Sequence, residues 1–352
     1  MQQLPCLVLL AFVTAILYVL PFIPALIEWM TKADSNPAHV NFQDRTIVDY
    51  CIRMFNDDID VQFGSLLDDY QQLTIDQHGV HVDGSEYYIT GKTGPLVLSD
   101  KETISKKTNK IVLICQQAIL PDNMTFENKV YARKGLITGV NSTFNEVVSA
   151  GSMLVKSGVV INKLMFSGAS TTFDEGCTLN GYTRAQNKLH FLGRAKFNYL
   201  YAPIIEFGHI KFDAPIKAID IFLEDIPRII TQKDLVIPMG TQQKNHIVAK
   251  ASLVIKPGCK ITGNIKSYHD VIIENDNAII GAIFSEKDIS ISSGCYIQGP
   301  IVAKGTLRIG DNCIIGAKDD MTSLVAQTII ISGNCRVFGL ILAKLNGVSQ
   351  NE

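Results

Sequence analysis

The sequence predicts an all-β fold, a triangular β-solenoid (a β-helix) of 18-residue rungs with one N-terminal transmembrane helix. Three observations predict it: a repeat of period 18, an apolar alternation of period two inside each repeat, and an uncharged apolar run from Leu4 to Ile27.

The repeat is clearest in the C-terminal part. Leu253, Val271, Ile289 and Leu307 stand 18 residues apart, as do Ile255, Ile273, Ile291 and Ile309, then Ile261, Ile279, Ile297 and Ile315. Gly263, Gly281 and Gly299 follow the same step. After four inserted residues around Asp319 to Ser323 the pattern resumes as Ile329, Ile331, Cys335, Val337, Gly339 and Ile341. It also reaches back to Phe173, Cys177, Leu179, Leu189 and Phe191, and before them to Val155, Val159 and Ile161. Within a rung, Leu253, Ile255, Cys259, Ile261 and Ile265 share parity and point to one side of an extended chain, while Lys256, Lys260, Thr262 and Lys266 point to the other. Three six-residue sides with Gly, Asn or Pro-Gly at the corners describe a triangle. A lone rung cannot bury its apolar face, so only a stack is stable.

The anchor follows from length. About 20 apolar residues cross a bilayer core, and Leu7, Leu10, Phe12, Leu17, Leu20 and Phe22 fill such a span, with Trp29 at the interface. A cleaved signal peptide fits less well, because no basic n-region or small-x-small cleavage site is present. Lys32 and Arg45 follow the span and no basic residue precedes it, which places the solenoid on the cytoplasmic side of an inner membrane.

Composition excludes a nucleic-acid binder: 32 basic residues against 34 acidic ones give a net charge of −2 and no basic stripe. No P-loop is present, so no nucleotide or other cofactor is expected. Cys259, Cys295, Cys313 and Cys335 share one repeat position, which Cys177 occupies in the earlier block. The column skips Asn277 and contains no His, so it reads as small buried side chains and not as a metal ladder.

The chain divides into a transmembrane anchor (1–31), a juxtamembrane and capping region (32–110), N-terminal rungs (111–197), an irregular insertion (198–234) and a C-terminal solenoid (235–346). Ile47, Cys51, Met54 and Phe55 recur at helical spacing in the capping region, with strands expected around 73–82 and 87–98. No capping helix is legible after Lys344, so the last rung is read as the surface that joins a second copy, through Ile329, Ile331, Val337, Phe338, Leu340 and Ile341.

The rung pattern V-x-I-x-x-G-x-x-I-x-G-x-I-x-A, seen at Leu253–Ser267 and Ile289–Ala303, resembles the bactofilins, bacterial polymer-forming cytoskeletal proteins. The resemblance is good over about 235–344 and weaker over about 136–191. It implies a right-handed triangular β-helix that stacks into nucleotide-free filaments, often on the inner membrane, and helps position cell-envelope proteins. Phe338 is similar to a last-rung phenylalanine that supports polymer contacts in that family. The function expected is therefore a non-enzymatic, self-assembling, membrane-anchored scaffold, with copies of itself and membrane lipid as partners. Two alternatives differ in class. A non-polymerising membrane adaptor would use the same anchor. A left-handed hexapeptide-repeat acyltransferase also has six-residue sides and is matched locally by Ile309–Gly316, but it needs a general-base histidine, and only His246 and His269 lie in the regular array.

Overall fold

The computed structural model describes residues 47–70, 76–81, 83–210 and 226–350. They form an all-β solenoid of about 13 turns, with two helices on its N-terminal side, Ile47–Tyr70 and Asp100–Ser105. The anchor residues Leu7, Leu10, Phe12, Leu17, Leu20, Phe22 and Trp29 lie outside the described residues. No helix among the described residues is long and apolar enough to cross a membrane.

Residue pairing shows how the stack is built. The strand Leu253–Ile255 pairs in parallel with Val271–Ile273, that strand with Ile289–Ile291, and that in turn with Thr306–Ile309, in the register Leu253, Val271, Ile289, Leu307. The next step runs from Leu307 to Ile329 and absorbs the four inserted residues. Inward residues are fully buried (Ile255, Ile273, Ile261, Ile279 and Ile283 are at most 1% exposed), and one apolar core runs through the whole solenoid from Tyr88 to Ala343. Each fully buried Ile or Leu contributes roughly 1.5–3 kcal/mol. Where the C-terminal array uses Ile, the N-terminal array often uses Phe: Phe126 stacks on Phe144 at 4.8 Å, and Phe173 on Phe191 at 4.5 Å.

Corners explain the residues between strands. Gly240, Gly258, Asp276, Gly294, Asn312 and Asn334 all have φ between 56° and 74° and recur at one position of successive rungs. Only Gly, and short polar residues that bond locally, take this left-handed conformation cheaply. A second corner is tighter. Gly281 has φ 144°, and a Cβ there would sit 2.3 Å from the carbonyl oxygen of Gly263 in the rung below.

Several expected boundaries move. The first rung strand is Glu86–Thr90, paired in parallel with Ile111–Ile114, so the stack begins inside the region read as 32–110. Asp76–Val80 lies antiparallel on Glu86–Thr90 and covers the edge of that strand, while Gly94–Pro95 and Lys107–Thr108 pair, among the described residues, with the following rung only. The insertion read as 198–234 is rung at both ends, since Ala195–Phe207 and Arg228–Thr231 are ladder strands. Proline content misled that reading, because Pro203 fits at a shift in ladder register and Pro227 immediately precedes a strand. The helix Ile47–Tyr70 is longer than the short one expected; Met54 faces solvent, and the buried stripe is Ile52, Phe55, Ile59, Phe63 and Leu67.

The cap at this end carries a titratable lock. Glu102 is buried and accepts hydrogen bonds from Ser99 Oγ (2.6 Å) and Thr108 Oγ1 (2.7 Å), with Lys110 Nζ at 3.2 Å. Burial alone would raise its pKa, but these partners outweigh it and hold the carboxyl at about 2. A depressed folded-state pKa stabilises above the ordinary value of 4.5 and is lost as pH falls through about 2. Amide protection across 99–110, taken relative to the intrinsic exchange rate at each pH, should therefore fall between pH 5 and pH 2 in the native chain, and Glu102→Gln should show low protection already at pH 7; equal protection in both proteins at pH 7 would refute the lock.

Candidate interaction surfaces

Two arrays can expose rungs at four ends, and the structure disposes of two of them against each other. Ala195–Phe207, the last rung of the N-terminal array, pairs antiparallel with Cys335–Gln350, the last rung of the C-terminal array. Opposite residues are Phe197 and Gly347, Leu200 and Ile341, Tyr201 and Leu340, Ile205 and Val337, and Glu206 and Arg336. Gly347 is required there, since a Cβ would meet the Phe197 ring at 2.2 Å. Ser349 Oγ accepts from the Ala195 amide (2.8 Å) and donates to the Gly193 carbonyl (3.2 Å). Arg336 reaches Glu206 Oε1 through Nε at 2.9 Å and through Nη2 at 2.7 Å, and Lys188 pairs with the other carboxylate oxygen. Glu206 is 5% exposed; burial pushes its pKa up, and Lys188 and Arg336 more than reverse this.

The residues expected to form a self-association surface lie in or beside this seam. Ile329, Ile331, Val337 and Ile341 are fully buried, Phe338 is 3% exposed beside Gly316, and Leu340 is partly buried opposite Tyr201. Ile329 and Ile331 are paired on both sides, to Leu307 and Ile309 and to Gly347 and Ser349. The edge of the last rung is thus hydrogen-bonded to the chain's own Ala195–Phe207. Sequence reasoning missed this because the pairing is antiparallel and joins residues 128 to 154 positions apart, which no period reveals.

A further rung edge is the first rung of the C-terminal array: among the described residues, Arg228–Thr231, Leu235–Ile237 and Gln242–Lys244 each pair with a strand of the following rung only. Ile229, whose successors Ile247 and Ile265 are buried, is 37% exposed, as expected at the end of a core. Features that discourage edge pairing gather here: Pro227 and Pro238, the charges of Arg228, Lys233 and Lys244, and Gln243 at the position filled by Ile261 and Ile279 in later rungs.

The cysteine column has a positional explanation. Each of these residues follows a left-handed corner residue, points inward, and donates its thiol proton to a corner carbonyl of the rung below: Cys177 to Lys156 (3.4 Å), Cys259 to Pro238 (3.1 Å), Cys295 to Glu274 (3.1 Å), Cys313 to Ser292 (3.1 Å) and Cys335 to Gly310 (3.0 Å). Asn277 substitutes by donating to the Glu274 carbonyl (2.7 Å) and accepting from the Cys259 amide (2.7 Å). Burial pushes the Cys177 thiol up to about 12, and the hydrogen bond shared with Cys313, together with burial, pushes Cys295 up as well. Among the described residues no group of three or more His, Cys, Asp or Glu is gathered as a metal could require. His246 Nδ1 accepts from the Asn264 amide at 2.9 Å, a corner contact, and His269 is exposed.

The remaining surface is lateral. On one side of the N-terminal array the outward residues Tyr87, Ile89, Ile111, Leu113, Val148 and Leu164 are apolar and covered by the Ile47–Tyr70 helix. Asp58 pairs with Lys129, Asp68 with Arg133 Nη2 at 2.7 Å, and Arg133 Nη1 donates to the Leu67 carbonyl at the helix C-terminus (3.3 Å). No family model matches this chain, and no curated protein or solved structure matches it either.

Breaking the seam pair should be costly, since it removes one member of a largely buried ion-pair cluster in which Lys188 also holds Glu206. Arg336→Ala and Glu206→Ala are each expected to lose about 3–5 kcal/mol in urea unfolding, with the double variant losing less than the sum; additive losses would mean that the pair is not coupled. Native protein at pH 8 should leave Cys177 and Cys295 unmodified by iodoacetamide over hours and alkylate them at once in urea, as read by mass spectrometry.

Proposed function

We propose that this chain is a non-catalytic, membrane-tethered solenoid scaffold of bactofilin-like rung design that works through its lateral faces and does not polymerise through its last rung. The observation that carries the reading is the seam: the rung best suited to adding a second copy is hydrogen-bonded to the chain's own Ala195–Phe207 strand. The protected character of the opposite end, with Pro227, Pro238 and three basic residues, supports it further. The tether rests on the Leu4–Ile27 run, the cytoplasmic placement on Lys32 and Arg45, and the right-handed, 18-residue form on the bactofilin resemblance. Membrane lipid and cell-envelope proteins are then the partners, and the adaptor reading is preferred to filament formation.

The test is sedimentation velocity and negative-stain electron microscopy of the full chain in detergent micelles, without nucleotide. Discrete particles of one size are expected. Filaments would overturn the reading. Phe338→Arg, which places a charge at a buried position beside the seam, should lower the unfolding temperature without changing the assembly state; dissociation of a larger assembly by this variant would restore a last-rung polymer.

A further inference from the structure

The helix-covered side of the N-terminal array continues across the seam as a face that no other described element covers. Outward residues on that side form hydrogen-bonded ladders. One runs Leu164, Tyr182, Tyr199 and then, through the seam, Leu342, Val325, Val302, Phe284, Lys266 and Val248. Its neighbour runs Phe166, Arg184, Tyr201 and Leu340. Leu164 is buried under the Ile47–Tyr70 helix and Tyr199 packs at the edge of the same cluster, whereas Tyr182 is 36% exposed and Phe284, Val302, Val325 and Leu342 are all partly exposed. The apolar surface therefore does not end where the helix ends.

What fits such a face is shown by what already occupies half of it. The Ile47–Tyr70 helix offers an apolar stripe, Ile52, Phe55, Ile59, Phe63 and Leu67, and carries six aspartates against one arginine. The N-terminal array answers with Lys129 and Arg133, and Lys129 Nζ also lies 5.5 Å from the Phe55 ring centroid. The C-terminal array repeats both elements. Its apolar ladder is bordered by the exposed Lys250 and Lys344 and by Lys304, which pairs with Glu286 of the same border, and Lys266 stands within the ladder with Nζ 5.5 Å from the Phe284 ring centroid and 5.1 Å from that of Tyr268.

We infer that the outer face of the C-terminal array, centred on Phe284, Val302 and Val325 with Lys266 beside them, is a docking site for an acidic amphipathic helix of a partner protein. The inference rests on the scaffold reading and names its working surface. Apolar side chains of the incoming helix pack on the ladder as Phe55 and Phe63 pack on the N-terminal array, and its carboxylates meet the lysines as Asp58 meets Lys129. Continuity with the existing helix interface and matching charge select this occupant over a second solenoid, whose own lysines would face these.

The experiment uses full chain in detergent micelles and a fluorescein-labelled synthetic peptide of the sequence 47–70 as the acidic helical probe, read by fluorescence anisotropy. Saturable binding at one site is expected, weakened severalfold between 50 and 300 mM salt and at least tenfold by Phe284→Asp with Val302→Asp. Lys266→Glu, an exposed position that leaves the core untouched, should weaken it severalfold and serves should the double variant misfold. Lys129→Ala should leave binding unchanged. Absent binding, binding indifferent to both ladder variants, or binding lost in Lys129→Ala (exchange with the chain's own helix) would each overturn the inference. None of these outcomes depends on whether the chain forms filaments, so the two readings fail separately.

Discussion

Antiparallel pairing between Ala195–Phe207 and Cys335–Gln350 is the constraint on which the rest depends. A parallel stack leaves an unsatisfied row of amides and carbonyls at each end, and each buried polar group without a partner costs about 1–3 kcal/mol. Joining the last rungs of two arrays removes both rows at once, and the core passes through the joint without interruption. The buried Arg336–Glu206 pair adds little net stability to such a joint, but it makes a shifted alignment expensive because one charge would lose its partner.

Once the seam is closed, function has to be sought along the length of the solenoid. In the N-terminal array the Asp76–Val80 strand covers the edge of Glu86–Thr90, and the first rung of the C-terminal array carries prolines and basic residues that oppose pairing. The lateral sides are long and regular, and one is already used as a platform for the Ile47–Tyr70 helix.

The cysteine column shows how a repeat can imitate a site. Residues of metal-binding type recur at fixed spacing because one corner carbonyl per rung needs a small inward donor. A thiol meets that need at little volume, whereas Asn277 bonds to the Glu274 carbonyl of its own rung and to the Cys259 amide. Spacing along the chain could not separate a metal ladder from this arrangement; the carbonyls within reach of each sulfur do.

Periodicity was enough to expose the solenoid, the inward columns, the four-residue insertion before Ile329 and the corner residues, because each depends on steps of two and 18 that repeat locally. The start of the stack at Glu86 and the rung character of Ala195–Phe207 were hidden, since Phe and Tyr replace Ile and Val there and register shifts break the count. By itself the sequence determined which residues face inward and that rungs must stack. Which end meets which, and therefore which surface is left for partners, was decided only by the tertiary structure, because antiparallel edge pairing between distant rungs follows from the geometry of two finished arrays and leaves no period in the chain.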